Sequence, residues 1–336
     1  MLRALVAVLA MTSTASSSGN GTPKPVSSIC TICNESFTSR TLFFKHLRSA
    51  HPTSEGAGSI KDDAATFPTK ISVVDEDDVW WRVILKPQGI ATNGGCGERL
   101  INSPDMLLEG AIENNACYKK AVPCHRLDKP TGGLVVCAKN RYAERLLHSS
   151  FRDRQVAKRY RAIVPGKLEG AGTIDEPIDG KPALTRYQVA HCTRSKVFGW
   201  VTTLDLYPVT GRQHQLRKHL QSIGHSILGD DRYVQKDNRY QHCDGYFAEV
   251  LFLWALEVTF PSPRDLFRLV TSGRYPEEEM QTQAVHRMQG VDMKDAQIAA
   301  AYDGCRRVTV RIDEPLYFNT FRLMHEASYS SQKDIL

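Results

Sequence analysis

Long hydrophobic runs are scarce in this sequence. The longest, Ala4 to Met11, has eight apolar residues, whereas a membrane-spanning helix needs roughly 20, so no membrane partner is expected. Paired cysteines are nearly as rare. Of nine cysteines, all but one close pair stand singly, at Cys96, Cys117, Cys124, Cys137, Cys192, Cys243 and Cys305. That scatter is not a disulfide framework; it fits a reducing compartment, with most thiols acting as small core hydrophobes. Also absent are a G-x4-G-K-[ST] phosphate loop, since Gly180-Lys181 lacks the upstream glycine, and an H-x-E with P-C-x-x-C deaminase pattern. Acidic residues are missing from the first 29 positions, whose only charged side chains are Arg3 and Lys24, within a Ser/Thr/Gly-rich context. Three readings stay open there: an organellar transit peptide, a short secretory signal, or a flexible tail. Secretion sits badly with the unpaired cysteines. The expected location is intracellular, with a mitochondrion or other organelle, the cytoplasm and the nucleus all compatible.

The chain has 336 residues, 41% hydrophobic and 24% charged, an ordinary globular composition with length for one large domain or two smaller ones. Lys plus Arg (43) against Asp plus Glu (37) leaves +6, too balanced to name a partner. The distribution says more. Between Tyr118 and Arg161 twelve Lys or Arg face three acids, a net +9 in 44 residues. Such concentration suggests a phosphate-backbone footprint, against the plainer reading of a solvated helix face.

The one close cysteine pair has partners. Cys30, Cys33, His46 and His51 read C-x2-C-x12-H-x4-H, the spacing of a two-cysteine, two-histidine zinc finger. Phe37 and Phe43 fall where such a ββα finger keeps its small apolar core. A structural zinc is therefore expected in residues 28–52, after a tail or targeting segment over 1–27 and before a Pro/Gly/Ser-containing linker over 53–70. One finger covers only about 3 base pairs, which argues against a sequence-specific DNA regulator.

From Ile71 the texture becomes mixed α+β. Arg82 to Leu85, Leu134 to Val136, Arg161 to Val164 and Val201 to Leu206 read as strands. In the last, Leu204 and Leu206 share one face while Thr203, Asp205 and Tyr207 share the other. A helix is expected from about Gln213, with Leu216, Leu220 and Ile223 on its apolar side and Gly224 as its stop. His214, His219 and His225 are not spaced one helical turn apart, so packing or RNA contact is expected of them rather than a metal.

The segment His125-Arg126-Leu127-Asp128-Lys129-Pro130-Thr131-Gly132-Gly133-Leu134 resembles the HRLDxxTSGLL motif of the RluA-type family of pseudouridine synthases. Other segments resemble the family's motifs in the same order: LKPQGIAT (Leu85 to Thr92), KRYRAIVPG (Lys158 to Gly166), GKPALTRYQV (Gly180 to Val189), GRQHQLRKHL (Gly211 to Leu220) and GHSILGDDRY (Gly224 to Tyr233). Together they cover roughly residues 71–262. The resemblance implies a mixed, mainly antiparallel sheet with flanking helices and a central cleft, in a catalytic domain expected over 71–290. A C-terminal extension over 291–336 lies outside the resemblance and contains a strand-like Val308 to Ile312. The resemblance also implies an RNA substrate, ribosomal or transfer RNA, no catalytic cofactor, and a monomer.

By the same resemblance Asp128 is the catalytic carboxylate and Arg217 the arginine that pairs with it, gripping both oxygens and keeping it charged. Tyr160 is the ring that stacks on the target uracil and takes the carbon 5 proton. Arg126 is a candidate to fill the gap left by the extruded uridine, and Lys158, Arg212 and His214 are candidates to contact RNA. Two departures stand out. The family's Ser after the Thr is Gly132 here, and its late Leu-His-Ala segment is Leu253-Trp254-Ala255. The rival reading is a non-catalytic RNA-binding protein on a synthase scaffold, for which Asp128, Tyr160 and Arg217 together would be superfluous.

Overall fold

A computed structural model describes residues 70–93, 99–108, 117–233, 250–272, 291 and 293–330, together with Ser28–Ile29 and Ser36–Phe37. The last two segments, β1 and β2, form an antiparallel ladder pairing Ser28 with Phe37 and Ile29 with Ser36, in a compact unit of their own. Cys30, Cys33, His46 and His51 lie outside the described residues, as do the first 27 residues and the linker to residue 69.

The larger unit is built on one ten-stranded sheet. Its strands are β3 (Ser72–Glu76), β4 (Trp81–Lys86), β5 (Cys117–Pro123), β6 (Gly132–Asn140), β7 (Ala157–Pro165), β8 (Ala171–Asp175), β9 (Leu184–Ser195), β10 (Gly199–Pro208), β11 (Leu253–Pro261) and β12 (Arg307–Arg311). The helices are α1 (Arg141–Arg152), α2 (Gln215–Ser222), α3 (Pro263–Val270), α4 (Asp295–Ala301) and α5 (Leu316–Ser330). The sheet runs β3-β4-β6-β11-β7-β10-β9-β8, with β5 also on β6 and β12 also on β11. All four runs read as strands fall inside β4, β6, β7 and β10, and the sheet is mixed but mostly antiparallel, as the resemblance implies.

Central strands and outer ones have different patterns for a physical reason. β4 and β6 are buried along almost their whole length, as strands covered on both faces must be. In β10 the alternation read from the sequence holds from Leu204 to Tyr207, with Leu204 and Leu206 buried and Tyr207 exposed, but not at Thr203, which is buried as well. α1 is capped by Asn140, whose side chain accepts from the Ala143 N–H at 2.8 Å. It turns Tyr142, Ala143, Leu146 and Leu147 into a core shared with Trp80, Val83 and Val136 from the sheet side, Leu266 and Phe267 of α3, and Ile298 of α4. The free cysteines Cys124, Cys137 and Cys305 are buried, consistent with apolar packing.

Residues 293–330 supply a strand and two helices to this same unit. β12 pairs with β11 from Pro261↔Arg307 to Glu257↔Arg311. Phe252 packs against Tyr317, Phe318 and Phe321 of α5, with ring centroids 5.2, 5.3 and 4.7 Å apart.

The one parallel contact among the described strands joins β6 to β11, pairing Gly132 with Trp254 and Gly133 with Ala255. Two consecutive glycines permit it. A Cβ on Gly132 would lie under 3.0 Å from the Trp254 ring, and Gly133, at φ +118°, would meet the Ala255 backbone in the same way. This crossing stands directly behind the segment that carries Asp128.

Candidate active site

Residues 125–131 connect β5 to β6, and their backbone is tied down at almost every step. The Thr92 hydroxyl donates to the Leu127 carbonyl at 3.0 Å and accepts from the Leu127 N–H at 3.1 Å. The Lys129 carbonyl accepts from Gly89 N–H at 2.9 Å, and the Asp128 carbonyl from Thr131 N–H at 3.0 Å. His125 accepts from Val136 N–H through Nε2 at 3.0 Å, and its ring packs on Phe151 at the end of α1, centroids 4.7 Å apart. Burial, with a smaller push from Lys158, lowers His125 to about 3. It is a neutral acceptor and a fixed anchor, not a proton carrier near pH 7.

Lys86 stands behind this loop. It is fully buried, with its ammonium donating to the Pro87 carbonyl at 3.0 Å and the Ile90 carbonyl at 2.7 Å. These bonds fold the Pro87–Ile90 turn that supports Lys129 through Gly89. Burial lowers Lys86 to about 7, and the charge of Asp128 pulls the other way.

Asp128 opens onto a cavity of about 650 Å³. Arg126, Lys158, Tyr160, Arg212, His214 and Arg217 line it too, so all seven residues proposed from the sequence for catalysis or RNA contact come together. They arrive from three places: the 125–131 loop, β7, and the turn into α2. Asp128 is the one carboxylate among the described lining residues.

The pairing of Arg217 differs from expectation. Its bidentate grip is on Asp230, with Nε to Oδ2 at 2.7 Å and Nη2 to Oδ1 at 2.6 Å, not on Asp128. The Nε/Nη2 edge of the planar fork is occupied. Only Nη1 is left facing Asp128, 3.9 Å from Oδ2. Burial works to raise the Asp230 carboxyl, but Arg217 and the backbone N–H groups of Tyr233 and Arg232 outweigh it and hold it below the usual carboxylate range. The Arg217 guanidinium also lies over the Tyr233 ring, 5.0 Å from its centroid.

α2 begins at Gln215, two residues later than the sequence suggests, because His214 takes a left-handed conformation at φ +54° as its N-cap. That turn aims His214 into the cavity, Nε2 3.7 Å from Asp128 Oδ1, with Nδ1 bonded to the Tyr233 hydroxyl at 2.8 Å. The helix is further pinned by Gln215, which bonds Thr210, Arg212, Leu184 and Thr185. Of the other two histidines, His219 bonds Thr185 and the Glu176 carbonyl, and His225 bonds the Pro165 carbonyl; both pack.

Tyr160 is buried, with its hydroxyl pushed well up by burial and then by the charge of Asp128. It is a phenol, not a phenolate, in the free chain. Lys86, Thr92, Asp230 and Tyr233 are the contributors that the candidate list missed. The first two lie inside the Leu85 to Thr92 segment and the last two inside the Gly224 to Tyr233 segment, so motif membership was the available signal.

The chain is similar in sequence to known proteins. A sequence profile described as RNA pseudouridylate synthase matches residues 81–222. The dual-specificity RNA pseudouridine synthase RluA of Vibrio parahaemolyticus is 35% identical over 235 residues, covering 64% of this chain and 88% of that protein. The ribosomal large subunit pseudouridine synthase D of Nitrosomonas europaea is 35% identical over 230 residues, 61% of this chain and 63% of that one. Among solved structures, human RNA pseudouridylate synthase domain containing 1 aligns with a TM-score of 0.45 at 22% identity, over 62% of this chain and 82% of its own. With its loop-borne aspartate in a cation-lined cavity and relatives of this extent, the chain belongs to the RluA-type family of RNA pseudouridine synthases.

Proposed function

We propose that the chain isomerises uridines in structured ribosomal or transfer RNA, with Asp128 as the carboxylate that acts on the ribose. The observation that carries this is the single carboxylate held by backbone clamps in a cavity whose other charged lining groups are cations. Relatives named for ribosomal RNA and for dual specificity support the substrate class. The N1–C1′ bond breaks, the uracil rotates, and a C5–C1′ bond forms; the proton lost from carbon 5 is balanced by one gained at N1. Nothing is oxidised or consumed, so no catalytic cofactor is needed. Asp128 either attacks C1′ or removes a sugar proton to start the cleavage. Arg217 Nη1 and His214 Nε2 flank its two oxygens.

Tyr160 offers a flat buried surface for a flipped base. Because its phenol is held protonated, taking the carbon 5 proton requires passing its own proton on in the same step. Arg126, Lys158 and Arg212 would hold the backbone around the extruded nucleotide. On this reading the chain also acts as a monomer, which size-exclusion chromatography with light scattering would test.

The test is tritium release from RNA labelled at uracil carbon 5, comparing wild type with Asp128→Ala. Release by wild type alone is expected. Equal release from both would sink the assignment of Asp128, and RNA binding without release by wild type would favour the non-catalytic rival.

Cys30, Cys33, His46 and His51 would hold a structural zinc ion. Two thiolates and two imidazoles suit that metal, and the β1–β2 pairing from Ser28 to Phe37 brackets the two cysteines in sequence. The metal would supply folding energy to the finger and take no part in the isomerisation. One zinc per chain is expected by elemental analysis, falling to none in Cys33→Ser.

A further inference from the structure

Four non-glycine residues of the described chain have φ in the left-handed region: Arg154 (+57°), Asp179 (+51°), His214 (+54°) and Ser272 (+52°). Asp and Ser are short, and Asp is among the residues that tolerate this region. The two long side chains, Arg154 and His214, both line the cavity. His214 already has a place beside Asp128; Arg154 has none.

Arg154 closes α1. Its N–H donates to the Phe151 carbonyl at 3.3 Å, and the next N–H, of Gln155, donates to the Ser150 carbonyl at 2.8 Å. This is the Schellman arrangement, in which the residue at the position of Arg154 is usually glycine. α2 ends the same way, with Gly224 N–H to Gln221, His225 N–H to Leu220, and a glycine at φ +82° where α1 has arginine. The strain of a branched backbone position is therefore kept at α1 although glycine would relieve it, and the long side chain is the difference.

The side chain stands ready for an anion. Arg154 is exposed, and its side chain has no ion-pair or hydrogen-bond partner among the described residues, unlike that of its neighbour Arg152, which pairs with Asp153 and Asp295. Arg154 and Val156, just ahead of β7, and Lys158 and Tyr160 within it all line the cavity. Six residues span no more than about 22 Å, with Lys158 between. That bound leaves the guanidinium within reach of a strand whose target base lies on Tyr160. The His125–Phe151 ring contact ties the last turn of α1 to the loop of Asp128, which fixes this distance.

We infer that Arg154 binds a backbone phosphate of the RNA strand flanking the target uridine, and so sets its register against Asp128. The inference rests on the reading of the cavity as an RNA site. The test uses the full chain and a fluorescein-labelled, unmodified transfer RNA transcript, titrated at several salt concentrations. In Arg154→Gly the slope of log affinity against log salt should shrink by about 0.7 to 1, one phosphate contact, and binding should weaken about 10-fold. Its melting temperature should hold or rise. Arg154→Gln should lose binding equally, and Arg154→Lys should keep the slope. In the tritium assay the Gly variant should lose kcat/KM through KM. An unchanged slope in Arg154→Gly, a fall in its melting temperature in place of a binding loss, or a wild type without salt-dependent RNA binding would each overturn the proposal. Absence of tritium release by wild type with the slope effect intact would count against the activity alone.

Discussion

Gly132→Ser restores the residue that the family motif carries, yet it should damage this chain. A Cβ at Gly132 would come within 3.0 Å of Cζ3, Cη2 and Cε3 of Trp254. Those three atoms belong to the six-membered ring of the indole. The ring has nowhere to go: Trp254 is 1% exposed and Tyr317 packs against it edge-on, centroids 6.2 Å apart. Overpacking of this kind costs about 1 to 3 kcal/mol, and the upper end is expected because the obstacle is rigid and enclosed. Trp254→His alone removes the outer ring and leaves a void, for about 2 to 4 kcal/mol. Histidine, the residue of the family motif, lacks all three clashing atoms. The double variant Gly132→Ser with Trp254→His should therefore recover about 2 kcal/mol relative to the sum of the single changes. Urea denaturation of the four proteins, with unchanged m-values, measures the cycle. Additivity within about 0.5 kcal/mol would refute the reasoning, since residues in steric conflict cannot act independently. Tritium release should follow the same pattern, because Thr131, adjacent to Gly132, holds the Asp128 carbonyl.

Asp230→Asn keeps the volume but leaves Arg217 as a buried charge without its bidentate partner; about 3 kcal/mol of stability should be lost, with kcat down at least about 10-fold as the guanidinium swings from its place beside Asp128. A wild-type melting temperature together with wild-type kcat would count against this. Lys86 has a folded value near 7, below its ordinary 10.5, so between those values the unfolded chain binds the extra proton. Stability should accordingly rise with pH across roughly 7 to 10, by at most about 1.4 kcal/mol per pH unit, and be lost again as pH falls toward 7. Lys86→Met should show a flatter curve over that window in pH-dependent denaturation, and parallel curves would contradict the burial argument. Asn140→Ala removes the cap of α1 and the 2.9 Å bond from its amide to the Val79 carbonyl; a loss of about 2 kcal/mol is expected by thermal denaturation.

The four runs inside β4, β6, β7 and β10 were legible because each is a short stretch rich in branched residues, and the loop of Asp128 because its motif is dense. Partners across the fold were not. Arg217 and Asp230 both lie in recognised segments, but their pairing depends on where α2 ends and how the following turn returns, which no spacing encodes. The later start of α2 was hidden for a related reason. A left-handed turn is usually announced by glycine, and here it falls on His214. Lys86 falls one residue past the run Arg82 to Leu85 read as a strand; its burial goes with a register that sets it opposite Gly133 in β6.

The two departures from the family motif were visible as separate oddities, one in each of two distant segments, and only the parallel crossing of β6 and β11 shows that they occupy one space. That crossing also changes what the C-terminal residues mean. Tyr317 of α5 backs Trp254, Trp254 fills the space that a side chain at Gly132 would need, and the turn ending at Thr131 holds the Asp128 carbonyl. The Tyr317 hydroxyl further lies 3.4 Å from the Gln88 side chain, next to the turn that supports Lys129. A helix outside the region of motif resemblance thus bears on the loop of Asp128 from two sides. An indole in place of the motif's imidazole needs a larger enclosed volume, and α5 supplies the far wall of that volume.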